Sequence, residues 1–193
     1  VVLWARDPSL ADQIERQHEN PRYLPGITLP EPLRGCSDLR QACEHGDVVV
    51  LAVPSHGLRA VLEGAAPAVD VEAPVVSLVK GVEQGSLLRM TQVAAATLPG
   101  HRADRIGVLT GPNLAREVAE GQPTASVVAI QDADAAASLQ QLFMTTTFRI
   151  YTNPDVVGCE IAGALKNVIA IAAGIAAGLG YGDNTKAALI TRG

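Results

Sequence analysis

Short runs of Val, Ile, Leu and Ala recur along the chain, and most are followed at once by a helix-start signal. That alternation constrains the fold more than any other feature. The runs are Val1–Ala5, Asp47–Val53, Pro74–Val79, Arg105–Leu109, Ala125–Ile130 and Phe148–Tyr151. Several are apolar at nearly every position, as strands covered on both faces require; a strand with one wet face alternates instead. Asp7-Pro8 places an N-cap acceptor before a proline at the first helical position. Pro54-Ser55 follows the second run, Ser86 can cap a helix over Leu87–Thr97, and Asp132 or Asp134 can open Ala135–Phe143.

Strand and helix in regular turn predict an α/β chain with a Rossmann-like, doubly wound parallel sheet flanked by helices. Between the first helix and the second run, Asn20–Arg34 holds Pro21, Pro25, Pro30 and Pro32 and reads as a loop. The texture changes after Asn153-Pro154-Asp155: strands stop, a long Ala- and Gly-rich helix follows, then a turn over Gly178–Asn184 and another helix. Two units are expected, residues 1–152 as a dinucleotide-binding domain and 153–193 as the start of an all-helical second domain. A dinucleotide fold needs a first strand and a glycine-rich turn ahead of the residue that reads the ribose, and neither precedes Val1. The glycines of residues 174–182 follow a helix and so fail the strand–turn–helix context.

A net charge of −5 argues against nucleic acid as a partner, because phosphate backbones favour basic faces. Cys36, Cys43 and Cys159 are odd in number and lack metal-ligand spacing, which predicts a reduced, cytoplasmic setting and gives a metal no support. No basic segment precedes Val1-Val2-Leu3-Trp4, so no signal peptide is expected. The apolar stretch from Ile161 to Gly180 carries Lys166 and Asn167, and a Lys there is costly in lipid; no membrane span is expected.

Open parallel sheets bind ligands beyond the carboxyl ends of their strands. Those ends offer Arg6, Pro54-Ser55-His56, Lys80-Gly81 and Gly111-Pro112-Asn113. Arg6 stands where an arginine accepts a ribose 2′-phosphate through its planar fork of donors; a solvated Arg6 paired with Asp7 fits the same spacing. Lys80 can meet a cofactor or substrate oxygen, although a surface lysine is the commoner case. Gly111-Pro112-Asn113 precedes a helix over Leu114–Glu120, where free N–H groups attract oxygens, while Asn113 as a plain cap explains the same residue. His56 reads as a polar rim residue. Lys166 is flanked on its helix by Ala162, Gly163, Ile169 and Ala170, with no local partner for its ammonium. A lysine walled by such residues can serve as a general acid or base, whereas one that snorkels to solvent cannot.

Taken in order, these pieces resemble the bacterial type of the NAD(P)-dependent glycerol-3-phosphate dehydrogenase family. The matching text is Leu3-Trp4-Ala5-Arg6, Asn20-Pro21-Arg22-Tyr23-Leu24-Pro25-Gly26, Val53-Pro54-Ser55-His56, Lys80-Gly81-Val82-Glu83 and Gly111-Pro112-Asn113-Leu114-Ala115. Gly163-Ala164-Leu165-Lys166-Asn167-Val168-Ile169-Ala170 is the strongest stretch, and the likeness runs on through Gly182–Leu189 to Gly193. The resemblance implies interconversion of glycerol 3-phosphate and dihydroxyacetone phosphate with NADPH or NADH, feeding glycerophospholipid synthesis. Lys166 matches the proton acceptor, Lys80 a contact of both cofactor and substrate, and Gly111 and Asn113 substrate contacts. Asn113 stands where relatives often carry Thr or Ser. Arg6, Tyr23 and Ala115 match cofactor contacts, Arg6 favouring NADP, and a homodimer is expected. The family's glycine-rich loop and its later Asp and Arg-Asn pair lie outside these residues, so the chain alone is expected either to be inactive or to be part of a longer one. A related hydroxyacid or acyl-CoA dehydrogenase, and a non-catalytic nucleotide-binding fragment, remain open on the sequence.

Overall fold

Each of the six apolar runs forms a strand in the computed structural model, which describes residues 1–193. In chain order the elements are β1 (Val2–Trp4), α1 (Pro8–Gln17), β2 (Glu19–Asn20), β3 (Leu24–Thr28), β4 (Arg34–Cys36), α2 (Leu39–Glu44), β5 (Val49–Leu51) and α3 (Leu58–Ala65). Then follow β6 (Val75–Ser77), α4 (Met90–Thr97), β7 (Ile106–Thr110), α5 (Ala115–Ala119), β8 (Thr124–Ala129), α6 (Ala133–Phe143), β9 (Phe148–Asn153), α7 (Val156–Gly178) and α8 (Asp183–Arg192). Three helix starts use the expected acids. The Asp7, Asp132 and Asp155 side chains accept from the backbone N–H of Ser9, Ala135 and Gly158.

The main sheet runs β5-β6-β7-β8-β9 and is parallel except where β8 meets β7. The exception has a simple cause. Residues 111–123 hold only the five-residue α5, about 7 Å long, and a parallel return needs a crossover long enough to travel back along the strand. β1 pairs in parallel with β4 in a separate two-stranded sheet, and β2 with β3 in an antiparallel ribbon.

Valines 75 and 76 show why the strands are apolar throughout. Val75 packs with Leu51, Leu58, Leu62, Met90 and Val93 on the side of α3 and α4. Val76 faces the other way, into Leu109, Val128, Leu139 and Ile150 beneath α6. Both are fully buried, and each such side chain contributes about 1.5–3 kcal/mol.

Two local expectations are corrected. Asn20–Arg34 is not all loop: it contains β3, in which Pro25 sits in an edge ribbon where a missing donor is tolerated, and its last residue opens β4 against β1. Ser86 does not cap the following helix. Its hydroxyl donates to Glu83 and accepts from the Leu88 N–H, Leu87 takes a left-handed φ of 58°, and α4 starts only at Met90. The turn is held by Arg59, whose fork grips the Glu83 carboxylate with two 2.8 Å hydrogen bonds.

The turn over Gly178–Asn184 and the helix after it are present as expected. By length and composition α7 is long and apolar enough to cross a membrane, with a mean hydropathy of 1.7 over its most apolar window. Its first half packs on the sheet through the buried Val156 and Gly163 and on the start of α4 through the buried Glu160.

Candidate active site

The carboxyl ends of β5 and β6 part to form a cleft of about 390 Å³ lined by Ala52, Val53, Pro54, Ser55, Leu78, Val79 and Lys80. It lies where an open parallel sheet presents its strand ends to a ligand. His56 stands exposed in the 3₁₀ turn Ser55–Gly57, in keeping with a rim residue.

Charge is distributed unevenly. Ten of the fifteen Lys and Arg side chains are ion-paired; Arg6, Lys80, Arg149, Lys166 and Arg192 are not. Arg149 covers the Tyr151 ring, and Arg192 ends α8, where a cation suits the helix dipole. The remaining three sit at the strand ends or face them. Lys80 is exposed, but partial desolvation of its ammonium at the cleft lowers its pKa from the ordinary lysine value, and the charge of Lys166 lowers it further. Two ammoniums within reach of each other and without a carboxylate make a site that an anionic or electron-rich oxygen would relieve.

Lys166 is not walled in as expected. Lys166, Ala162 and Ala170 are exposed, and only Gly163 of the four flanking residues is buried. The cause is the run of α7 past the sheet. It packs on β7 and β8 near its start and on α8 further along, so no element covers the Lys166 turn. Its charge nevertheless acts on Lys80.

A close approach at Gly163 makes this possible. A Cβ there would stand 2.7 Å from Thr110 Oγ1, so a larger residue would force α7 back from the end of β7 or Thr110 to turn. Gly111, next along the chain, is equally confined: a Cβ would meet Ser126 Oγ at 2.6 Å and the Ala125 carbonyl oxygen at 2.8 Å. Asn113 is half-buried beside it and does not cap α5. Its Oδ1 accepts the buried Ser126 hydroxyl at 2.5 Å, and its N–H donates to the Gly111 carbonyl. With Oδ1 engaged, the Asn113 amide N–H₂ is left to donate elsewhere.

Arg6 follows β1 and is exposed, and the alternative pairing with Asp7 is not formed. Asp7 is occupied as the cap of α1 and stands 4.0 Å from Arg22. Arg22 in turn lies over the Tyr23 ring at 5.2 Å, and the Tyr23 N–H donates to Asn20 Oδ1. Arg116 donates to the Pro25 carbonyl, joining α5, which begins with the exposed Ala115, to the ribbon that follows Tyr23. The candidate residues therefore form two groups: Lys80, Lys166, Gly111 and Asn113 near the cleft, and Arg6 and Tyr23 at the end of β1, with Ala115 bridging toward them. Sequence reasoning missed Ser126 and Thr110, which have no signal of their own. It also missed Glu160, whose signal was available as the one acid in an apolar helix.

The sequence profile of the NAD-dependent glycerol-3-phosphate dehydrogenase N-terminus matches residues 1–136, and that of the C-terminus matches residues 155–193. The chain is 52% identical over 193 residues to glycerol-3-phosphate dehydrogenase [NAD(P)+] 2 of Sphingopyxis alaskensis, covering all of this chain and 57% of that protein. The Thermobifida fusca glycerol-3-phosphate dehydrogenase [NAD(P)+] is also 52% identical, with the same coverage. The crystal structure of glycerol-3-phosphate dehydrogenase from Coxiella burnetii superimposes with a TM-score of 0.87 at 34% identity, over all of this chain and 58% of that one. The chain thus spans a little over half the length of the relatives it matches.

Proposed function

Because the chain belongs to the NAD-dependent glycerol-3-phosphate dehydrogenase family, we propose that it is the greater part of the cofactor half of an enzyme interconverting glycerol 3-phosphate and dihydroxyacetone phosphate. The observation that carries the reading is the pair of lysines without carboxylate partners, Lys80 at a strand end and Lys166 near enough for its charge to act on it. We divide the chain at residues 152 and 153, a dinucleotide-binding unit followed by the start of a helical substrate unit; the last strand ends and α7 begins beside that boundary.

The residues present fit a dinucleotide. Arg6 is a free guanidinium after β1, Tyr23 offers an exposed ring, and Ala115 and Lys80 stand nearer the cleft. These four would hold the cofactor, with Arg6 favouring the 2′-phosphate of NADPH over NADH. When bound, the nicotinamide supplies or accepts the hydride.

Proton transfer falls to the chain. In the oxidation direction Lys166 takes the proton of the substrate's secondary hydroxyl; in reduction it returns a proton to the carbonyl oxygen of dihydroxyacetone phosphate. Lys80 opposes the negative charge that develops on that oxygen. The proton on Lys80 is easier to release with the charge of Lys166 nearby. The Gly111 backbone and the Asn113 amide line the approach, with Ser126 keeping the amide turned so that its N–H₂ faces outward.

The setting is read as cytoplasmic, in keeping with three unbridged cysteines. α7 is read as a helix of a soluble enzyme, since it carries Lys166 mid-span and buries Glu160 against the start of α4. The substrate pair would feed glycerophospholipid synthesis, and a homodimer fits the exposed apolar side chains of Val168, Ile171 and Ile175. The test is spectroscopic. Full-length protein should oxidise NADPH, read at the nicotinamide band, with dihydroxyacetone phosphate and not with a 2-oxo acid or a 3-oxoacyl thioester. Turnover of the latter two alone would replace this reading with that of a sibling dehydrogenase.

A further inference from the structure

Glu160 is a charge buried to 5% exposure in the helix that carries Lys166, and the chemistry above gives it no task. Both its oxygens are engaged. Oε1 accepts the Thr91 backbone N–H at 2.9 Å; Oε2 accepts the Thr91 hydroxyl at 2.6 Å and the Arg89 guanidinium at 2.6 Å. Arg89 donates also to the Thr91 hydroxyl at 3.0 Å, which closes the network. Arg89 precedes α4 and Thr91 lies in its first turn, so three directional bonds join the start of α4 to the second turn of α7, and the Arg89–Thr91 bond braces them.

A buried ion pair of this kind contributes little net stability, because desolvating both charges costs about what their attraction returns. What it supplies is direction. The carboxylate fits Arg89 and Thr91 in one orientation, which fixes how far α7 has slid along its axis and how it is turned. Gly163, one turn on, rests against Thr110, and Lys166 is one turn beyond that.

We propose that Glu160 is a positioning residue: held by Arg89 and Thr91, it sets the register of α7 so that Lys166 is delivered beside Lys80. The inference rests on the dehydrogenase reading of Lys166. It assigns no contact between Glu160 and substrate.

Glu160→Asp and Glu160→Gln in the full-length protein test it. The first keeps the charge but ends one methylene short; the second keeps the shape but loses the charge that meets Arg89. The expected result for Glu160→Asp is a fall in kcat for dihydroxyacetone phosphate reduction of about tenfold to a hundredfold, the usual cost of misplacing a reacting group by about an ångström. The KM for NADPH should stay within about twofold of the parent, since uniform binding is untouched. Glu160→Gln should fall in the same direction, and both losses should persist well below the melting transition. If both variants keep the parent kcat, or if the loss vanishes on cooling, Glu160 is merely structural and the proposal is overturned. Should neither variant fold, Thr91→Val, which removes the two bonds made by the Thr91 hydroxyl and little volume, carries the same expectation. An active parent with unaffected variants sinks the positioning role alone. A parent without glycerol-3-phosphate dehydrogenase turnover sinks the functional reading and the positioning role with it.

Discussion

Replacing Gly163 by Ala separates stability from catalysis, because the two respond to one added methyl in different ways. The new Cβ would stand 2.7 Å from Thr110 Oγ1, where ordinary contact begins at 3.4 Å. Relief needs about 0.7 Å, the difference between those distances, taken up by moving α7 away from β7 or by turning Thr110. Overpacking of this kind costs about 1–3 kcal/mol. Alanine in a helix interior returns about 1 kcal/mol relative to glycine. The net loss is then about 0–2 kcal/mol, a fall in Tm of zero to about 8 °C for a chain of this size. Lys166 moves with the helix, and since a misplacement of about 1 Å costs about a hundredfold, 0.7 Å predicts a fall in kcat of roughly ten- to thirtyfold. Thermal melting and steady-state NADPH oxidation in the full-length enzyme measure the two effects. The double variant Gly163→Ala/Thr110→Ala should recover most of the rate lost on top of Thr110→Ala alone, because the nearest remaining atom, Thr110 Cβ, is at 3.7 Å. A Gly163→Ala enzyme with parental kcat and a raised Tm would refute the argument that α7 must approach β7 this closely for Lys166 to work.

Arg6→Ala should weaken NADPH by about ten- to a hundredfold, equivalent to losing one charge-assisted contact of about 1.5–3 kcal/mol, and NADH far less; equal losses in a fluorescence titration would show that Arg6 does not read the 2′-phosphate. The Arg59 and Ser86 hydrogen bonds hold the Glu83 carboxyl at about 2, down from its ordinary 4.5. A depressed carboxyl stabilises the fold above its unfolded pKa and loses that contribution as pH falls through the folded one. Arg59→Met should therefore destabilise more at pH 7 than at pH 3 in denaturant titrations, and an equal penalty at both would contradict the pairing.

Local signals made much of the fold legible. Continuous apolar runs mark β6 and β7 because both faces of those strands are covered, and Asp7, Asp132 and Asp155 mark helix starts because an N-cap needs only its own next few residues. What escaped depends on partners elsewhere in the chain. β4 is Arg34-Gly35-Cys36, with no strand character of its own; it is a strand because β1 lies beside it. The antiparallel entry of β8 follows from the length of residues 111–123, not from the composition of β8. The candidate site divides in the same way. Lys80, Gly111 and Asn113 could be named from strand ends and Lys166 from its apolar helix. That the charge of Lys166 reaches Lys80, and that Ser126 holds Asn113, are properties of packing. The expected wall around Lys166 came from reading its helix alone, and this stretch of α7 has no covering neighbour.

Single-turnover NADPH oxidation by the full-length enzyme with saturating dihydroxyacetone phosphate tests the proton-transfer role of Lys166 most directly. Lys166→Ala should slow it by about a hundredfold or more, the usual share of a positioned acid or base, with NADPH affinity nearly unchanged. Lys166→Arg should not restore it, since a guanidinium does not give up its proton near neutral pH. A Lys166→Ala enzyme that turns over at close to the parental rate would contradict the account and leave a dinucleotide-binding chain whose proton chemistry lies with another residue.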